Sequence, residues 1–275
     1  MSGGGLLHSC RVVLDITLSQ TIKSKKTVFA LIAAFLPVLL AILYRIFGDG
    51  ARANQPFSRI MTVGPDQALA LIMSFFLQFL SVLIALFYAT ALIADEVDNK
   101  TFIYLFTRPV RKYSIILGKF AAYILEVFLI LIPPMLLTFL IITIGSETDS
   151  SFAERLSIFS KQSGLILVAL VVYGAIFTFF GTWWKRPLLL GLIFAFGWEK
   201  TVLAVPGTIR KFSVIHYLTS IFPKLPPIKG FVIKLPAEAI SSSSPLLSAI
   251  VLVVITCLFL GLSIFTIYRK EYRFE

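Results

Sequence analysis

The chain is poor in the residues from which metal sites, disulfide frameworks and hydrolytic centres are built. Its 275 residues include two cysteines, Cys10 and Cys257, and two histidines, His8 and His216. The cysteines lie at opposite ends of the sequence, one of them inside a long apolar run, so no disulfide is expected and the count says little about redox compartment. The histidines are too few and too separated for a metal site, and neither a zinc-protease helix motif nor a Cys-x-x-Cys pair occurs. No phosphate-cradling GxxxxGK[ST] loop is present. Gly118-Lys119 resembles its end, but Tyr113 stands at the first glycine and Phe120 at the hydroxyl position. ATP binding by this chain alone is therefore not expected. The apolar runs also carry no Ser/His, Asp/Asp or metal constellation, which argues against an intramembrane protease or lipid transferase.

Charge is scarce as well, at 14% of residues against 58% hydrophobic, and the mean hydropathy is +0.92. This composition excludes an ordinary soluble domain and indicates an all-α membrane protein. A bilayer core needs roughly 20 apolar residues per helical span. Six stretches qualify, at about 27–47, 67–93, 114–144, 164–184, 188–205 and 246–268. The net charge of +11 comes from Lys and Arg at the ends of these runs, which suits topology and anionic headgroups better than nucleic acid.

Before the first span, residues 1–26 form a separate segment in which Leu7, Cys10, Leu14, Leu18 and Ile22 recur at helical spacing. The pattern predicts an amphipathic helix in the headgroup layer, stopped by Lys23, Lys25 and Lys26. A secretory signal is the rival reading, since Ala51-Arg52-Ala53 mimics a cleavage site, but the apolar run is of span length. Pro37 and the Pro133-Pro134 pair mark expected bends, and Gly174 and Gly181, seven residues apart, would let another helix approach closely. Gly48–Asp66 and Gly145–Ser163 read as external loops. Residues 206–243, interrupted by prolines, read as a third, with a short interfacial or re-entrant helix near Ser213–Phe222. Pro245 after a serine run starts the last span, and 269–275 is a basic tail. Six spans with basic residues crowding the inner ends put both termini in the cytoplasm. Glu126 reads as the only acidic residue well within an apolar run, a position suited to lining or gating a pathway unless it sits near the interface.

The organising stretch is the polar island between the second and third spans, with 94–113 as its core. It opens with Asp95, Glu96 and Asp98, runs through the apolar Phe102–Phe106, and closes with Arg108, Arg111, Lys112 and Lys119. A loop that only had to be wet would not need Phe102, Tyr104 and Phe106, so the island reads as a short helix presenting an oily, charge-flanked face to another protein. The alternative is that the acids cap a helix and the basic residues anchor to headgroups.

Glu96, Thr101, the Leu-x-x-Arg-Pro-Val-x-Arg turn from Leu105 and the Leu-Gly-Lys at Leu117–Lys119 resemble the cytoplasmic signature of ATP-binding-cassette (ABC) transporter permeases of the type-2, exporter-like kind. The likeness is strongest to the branch labelled as permeases involved in multi-copper enzyme maturation, although Lys100 stands where that family usually has Gly. The resemblance implies a plasma (inner) membrane permease subunit that is not itself an enzyme. It would act as a dimer with a second permease subunit, and a separate ATP-binding subunit would hold ATP and Mg. On that reading Asp95, Glu96, Thr101, Phe102, Tyr104, Phe106, Arg108, Pro109, Arg111, Gly118 and Lys119 belong to the coupling region, with Arg108 and Pro109 fixing the turn back into the membrane. The expected function is export of a substrate the sequence does not identify. The alternative is a non-transporting subunit that passes ATP-driven motion to an extracytoplasmic assembly or maturation factor. With four methionines and no Met or Cys ladder on the spans, copper itself is not supported as cargo.

Overall fold

The computed structural model describes residues 25–50, 64–98, 112–145, 151–184, 186–205, 208–221 and 244–269. All its regular elements are helical. Helix α1 is Lys25–Gly50, with Pro37 inside it. Helix α2, Pro65–Phe75, passes through a π turn at Phe76–Leu80 into α3, Ser81–Asp98. Helix α4 is Lys112–Thr143 and α5 is Phe152–Trp183. Then α6, Pro187–Leu192, runs through a second π turn at Ile193–Trp198 into α7, Glu199–Ala204. A 3-10 turn at Thr208–Phe212 leads to α8, Val214–Ile221, and α9 is Pro245–Arg269. The amphipathic segment expected before α1 lies outside the described residues except for its last two positions.

Among the described residues, five helical stretches are long and apolar enough to cross a membrane: Thr27–Ile46, Pro65–Leu92, Tyr113–Thr143, Phe152–Trp183 and Pro245–Arg269. The stretch expected as the fifth span, 188–205, is helical but divided into three pieces of six residues, and it carries Glu199 and Lys200 near its end. Those pieces total a rise of only about 27 Å, just short of a bilayer core of ~30 Å. The polar stretch expected as a loop at 145–163 is helical from Phe152 onward. Its signal was hidden because the first three turns of α5 mix polar and apolar residues: Arg155 and Gln162 are buried together with Phe159, which stacks on Phe139 of α4 at 4.5 Å between ring centroids, while Leu156 and Ile158 are exposed.

Helix starts follow local chemistry. Pro65 opens α2 where its missing N–H costs nothing, and the Gln67 side chain accepts from the Gly64 N–H at 3.2 Å. Pro245 does the same for α9, where the Leu247 N–H points to Ser244 Oγ at 3.4 Å.

Helix α5 is the centre of the bundle. Of its apolar window 72% is buried, against 33% for α1 and 17% for α9, so α5 is enclosed while α1 and α9 are flank helices. Apolar burial does not drive helices together in lipid, where packing, small residues and hydrogen bonds do. Two glycines show how this works here. A Cβ at Gly181 would lie 2.9 Å from the Thr90 carbonyl oxygen of α3, and one at Gly174 would lie 2.3 Å from the Tyr123 ring of α4. The close approach expected from their spacing is thus made to two neighbours. Tyr123, fully buried, completes the seam by donating its hydroxyl to the Leu170 carbonyl at 2.9 Å. On the other flank Phe179 meets Phe259 of α9 at 5.6 Å. At the end where α2 and α5 begin, Arg155 Nε pairs with Asp66 Oδ1 at 3.0 Å.

Candidate functional site

The island expected to meet a partner is framed by α3 and α4. Helix α3 continues past the apolar run to Asp98, so Asp95 and Glu96 stand on its last turns, and α4 starts at Lys112. Thr101, Phe102, Tyr104, Phe106, Arg108, Pro109 and Arg111 lie outside the described residues. Gly118 and Lys119, the last members of the motif, are buried on α4. Lys119 Nζ donates to the Leu92 carbonyl of α3 at 2.7 Å. A buried ammonium needs such an acceptor, and the result is a cross-tie that holds the two stem helices together below the island. The described contact of Lys119 is therefore with its own chain.

One polar cluster sits deeper in the bundle. Glu126, two turns beyond Lys119 on α4 and only 4% exposed, accepts a long hydrogen bond from the Thr27 hydroxyl of α1 at 3.4 Å. Tyr88 of α3 adjoins both, and its buried hydroxyl makes no hydrogen bond of ordinary geometry. Three helices thus meet around this carboxyl group, level with the first turn of α1.

Glu126 is not the only buried acid in an apolar run. Glu199, at the start of α7, is fully buried and was missed. It accepts from the Ser213 hydroxyl, from the Val214 N–H at 3.1 Å and, weakly, from the Ile215 N–H at 3.5 Å. It therefore acts as an N-cap supplied from a different helix, satisfying amides that α8 itself leaves open and meeting the positive end of its dipole. The available signal was a carboxylate near the end of an apolar stretch with a serine a short loop away. Helix α8 packs against α9, α5 and α7, and its Val214, Ile215, His216, Tyr217 and Leu218 are all buried. It falls where a short interfacial or re-entrant helix was expected. The His216 imidazole is pushed below its ordinary value by burial first, and further by the nearby Lys211 and Arg210. Among the described residues no three His, Cys, Asp or Glu side chains come together as a metal site.

Long apolar helices packed around a central one define a multi-pass membrane protein. The family model of the ABC-2 family transporter proteins matches residues 20–198, about two thirds of the chain. The chain belongs to that family and is a membrane-domain (permease) subunit of an ABC transporter. No curated protein matches it. The match takes in the island, Lys119 and Glu126. It ends just before Glu199, so the capped α8 and the flank helix α9 lie beyond it.

Proposed function

We propose that this permease couples ATP hydrolysis by a separate ATP-binding subunit to export of a substrate across the plasma membrane. The island is the contact through which that subunit drives a pair of permease subunits between inward- and outward-facing states. The family match across 20–198, which includes the motif-bearing island between α3 and α4, carries this reading. ATP and Mg would be held by the partner. Asp95 and Glu96 would meet its basic groups, Phe102, Tyr104 and Phe106 would supply buried area, and Arg108, Pro109 and Arg111 would turn the chain back toward α4. In this reading 187–204 crosses the membrane as the fifth of six spans and both termini are cytoplasmic. The island's motif also resembles that of the branch labelled for multi-copper enzyme maturation, and on that resemblance the chain would belong to it.

The test is a pull-down from detergent on the tagged chain. An ATPase subunit should co-purify, and Phe102→Ala with Phe106→Ala should release it while the helical content of the permease is unchanged. If no ATPase associates with the intact chain, the proposal fails. Co-purification of an extracytoplasmic protein, with no ATP-dependent movement of any solute or lipid, would point instead to a subunit that transmits motion.

A further inference from the structure

Beyond the region matched by the family model, one surface combines charge of a single sign with exposed apolar side chains. The sequence from Lys200 to Ala237 holds six Lys or Arg residues and no Asp or Glu. Its described part includes the 3-10 turn at Thr208–Phe212, which carries Ile209, Arg210, Lys211 and Phe212 in succession. Phe212 is 74% exposed and Ile209 49%, and Lys211 is exposed as well. Arg210 Nε donates to the Val205 carbonyl at 3.1 Å, which ties the turn to the end of α7. The nearest acid in sequence, Glu199, is fully buried and engaged with Ser213 and the Val214 amide.

The turn stands where apolar cover gives way to charge. Leu189 of α6 and Ile193 of the π turn are exposed, as side chains facing lipid are, and they are followed by the exposed Trp198 and Lys200. An outward Trp beside a basic residue marks the headgroup level of a bilayer. Arg210, through Val205, holds the turn at that same end of the stretch. A hydrated polyanion would match the two bases and leave Ile209 and Phe212 in water. A headgroup layer takes both kinds of side chain, the apolar pair at the acyl boundary and the bases at the phosphates. The charge of two adjacent bases further selects anionic over zwitterionic headgroups, by about fivefold for each base. We propose that the Thr208–Phe212 turn docks on the bilayer surface by binding anionic phospholipid, with Arg210 and Lys211 at the headgroups and Ile209 and Phe212 at the acyl boundary. The docking requires no export, and it holds on whichever face of the membrane the turn lies.

The test uses the full chain with Cys10→Ser and Cys257→Ser and a nitroxide label on Ile209→Cys. It is reconstituted into vesicles of phosphatidylcholine, or of equal parts phosphatidylcholine and phosphatidylglycerol. Collision of the label with a neutral, water-soluble nickel chelate, read by power-saturation electron paramagnetic resonance, should fall about threefold when phosphatidylglycerol is present. Collision with oxygen, which concentrates in the acyl region, should rise. Arg210→Gln with Lys211→Gln should abolish the difference between the two vesicles. Because Arg210 also holds the turn to Val205, Lys211→Gln alone, at an exposed side chain, is the second variant, and it should reduce the difference. Equal nickel access in the two vesicles overturns the proposal, whether the label is wet in both or shielded in both. So does a phosphatidylglycerol effect that survives the double substitution, which would come from charge elsewhere on the chain.

Discussion

Single atoms decide how closely α5 is held. At Gly181 the obstacle to a side chain is backbone, the Thr90 carbonyl, which cannot swing aside as a rotamer can. Gly181→Ala is therefore expected to lower stability by about 1–3 kcal/mol, the usual cost of overpacking. Thermal unfolding in detergent would show it, and an unchanged midpoint would mean that the α3–α5 seam is looser than described. Glu199→Ala removes a different kind of support, stranding the Ser213 hydroxyl and the Val214 amide. A loss of about 1–3 kcal/mol is expected, with faster hydrogen exchange confined to 214–221; Glu199→Gln, which keeps an acceptor, should lose less. The two residue types differed in legibility. A glycine pair at helical spacing announces close packing from sequence. A carboxylate whose partners lie fourteen to sixteen residues onward announces nothing until the chain has folded back.

Helices are held at their ends as well as along their faces. The Asp66–Arg155 pair ties the first turns of α2 and α5, with Arg155 buried at 6% exposure and Asp66 at 36%. Its worth should fall between the ~0–1 kcal/mol of an exposed pair and the ~3–5 kcal/mol lost on breaking a buried one. Arg155→Ala should destabilise by about 2 kcal/mol, and adding Asp66→Ala should recover part of that loss. A fully additive double variant would show that the two side chains do not interact. Helix α8 adds a dependence on pH. The folded pKa of His216 is lowered, so below its ordinary value of 6.5 the unfolded chain binds the proton more readily than the folded one. The contribution of His216 to stability is therefore full above that value and falls as pH is lowered through it. In thermal unfolding between pH 5 and 8, His216→Gln should flatten the curve, and an equally steep curve in the variant would assign the effect elsewhere. At this scale the long apolar helices and their Pro and Ser starts were legible. The π turns at Phe76–Leu80 and Ile193–Trp198 were not, because one extra residue in a turn leaves composition and hydropathy unchanged.

For the whole molecule, the proposed six crossings have a direct test. In a variant lacking Cys10 and Cys257, a cysteine introduced at Ser150 should react with a membrane-impermeant maleimide in intact cells, while one at Arg273 should be protected. Labelling at both positions would mean that 187–204 does not cross and that the termini lie on opposite sides. Sequence reached the membrane class and the family because hydropathy and one motif suffice for those. The centre of the island, 99–111, lies outside the described residues, so its proposed role rests on the motif and the family match.

The central position of α5 also has a consequence for how the protein is made. Helix α5 is the fourth of the five long helices to leave the ribosome, yet one of its flanks is closed by α9, the last, through contacts such as Phe179 with Phe259. Until α9 has been inserted, the middle of the bundle is open on one side and must be kept from wrong partners by the insertion machinery or by lipid. A newly made chain stalled before residue 245 is then not a slightly smaller permease but a bundle with an uncovered centre, which quality-control proteases would be expected to recognise.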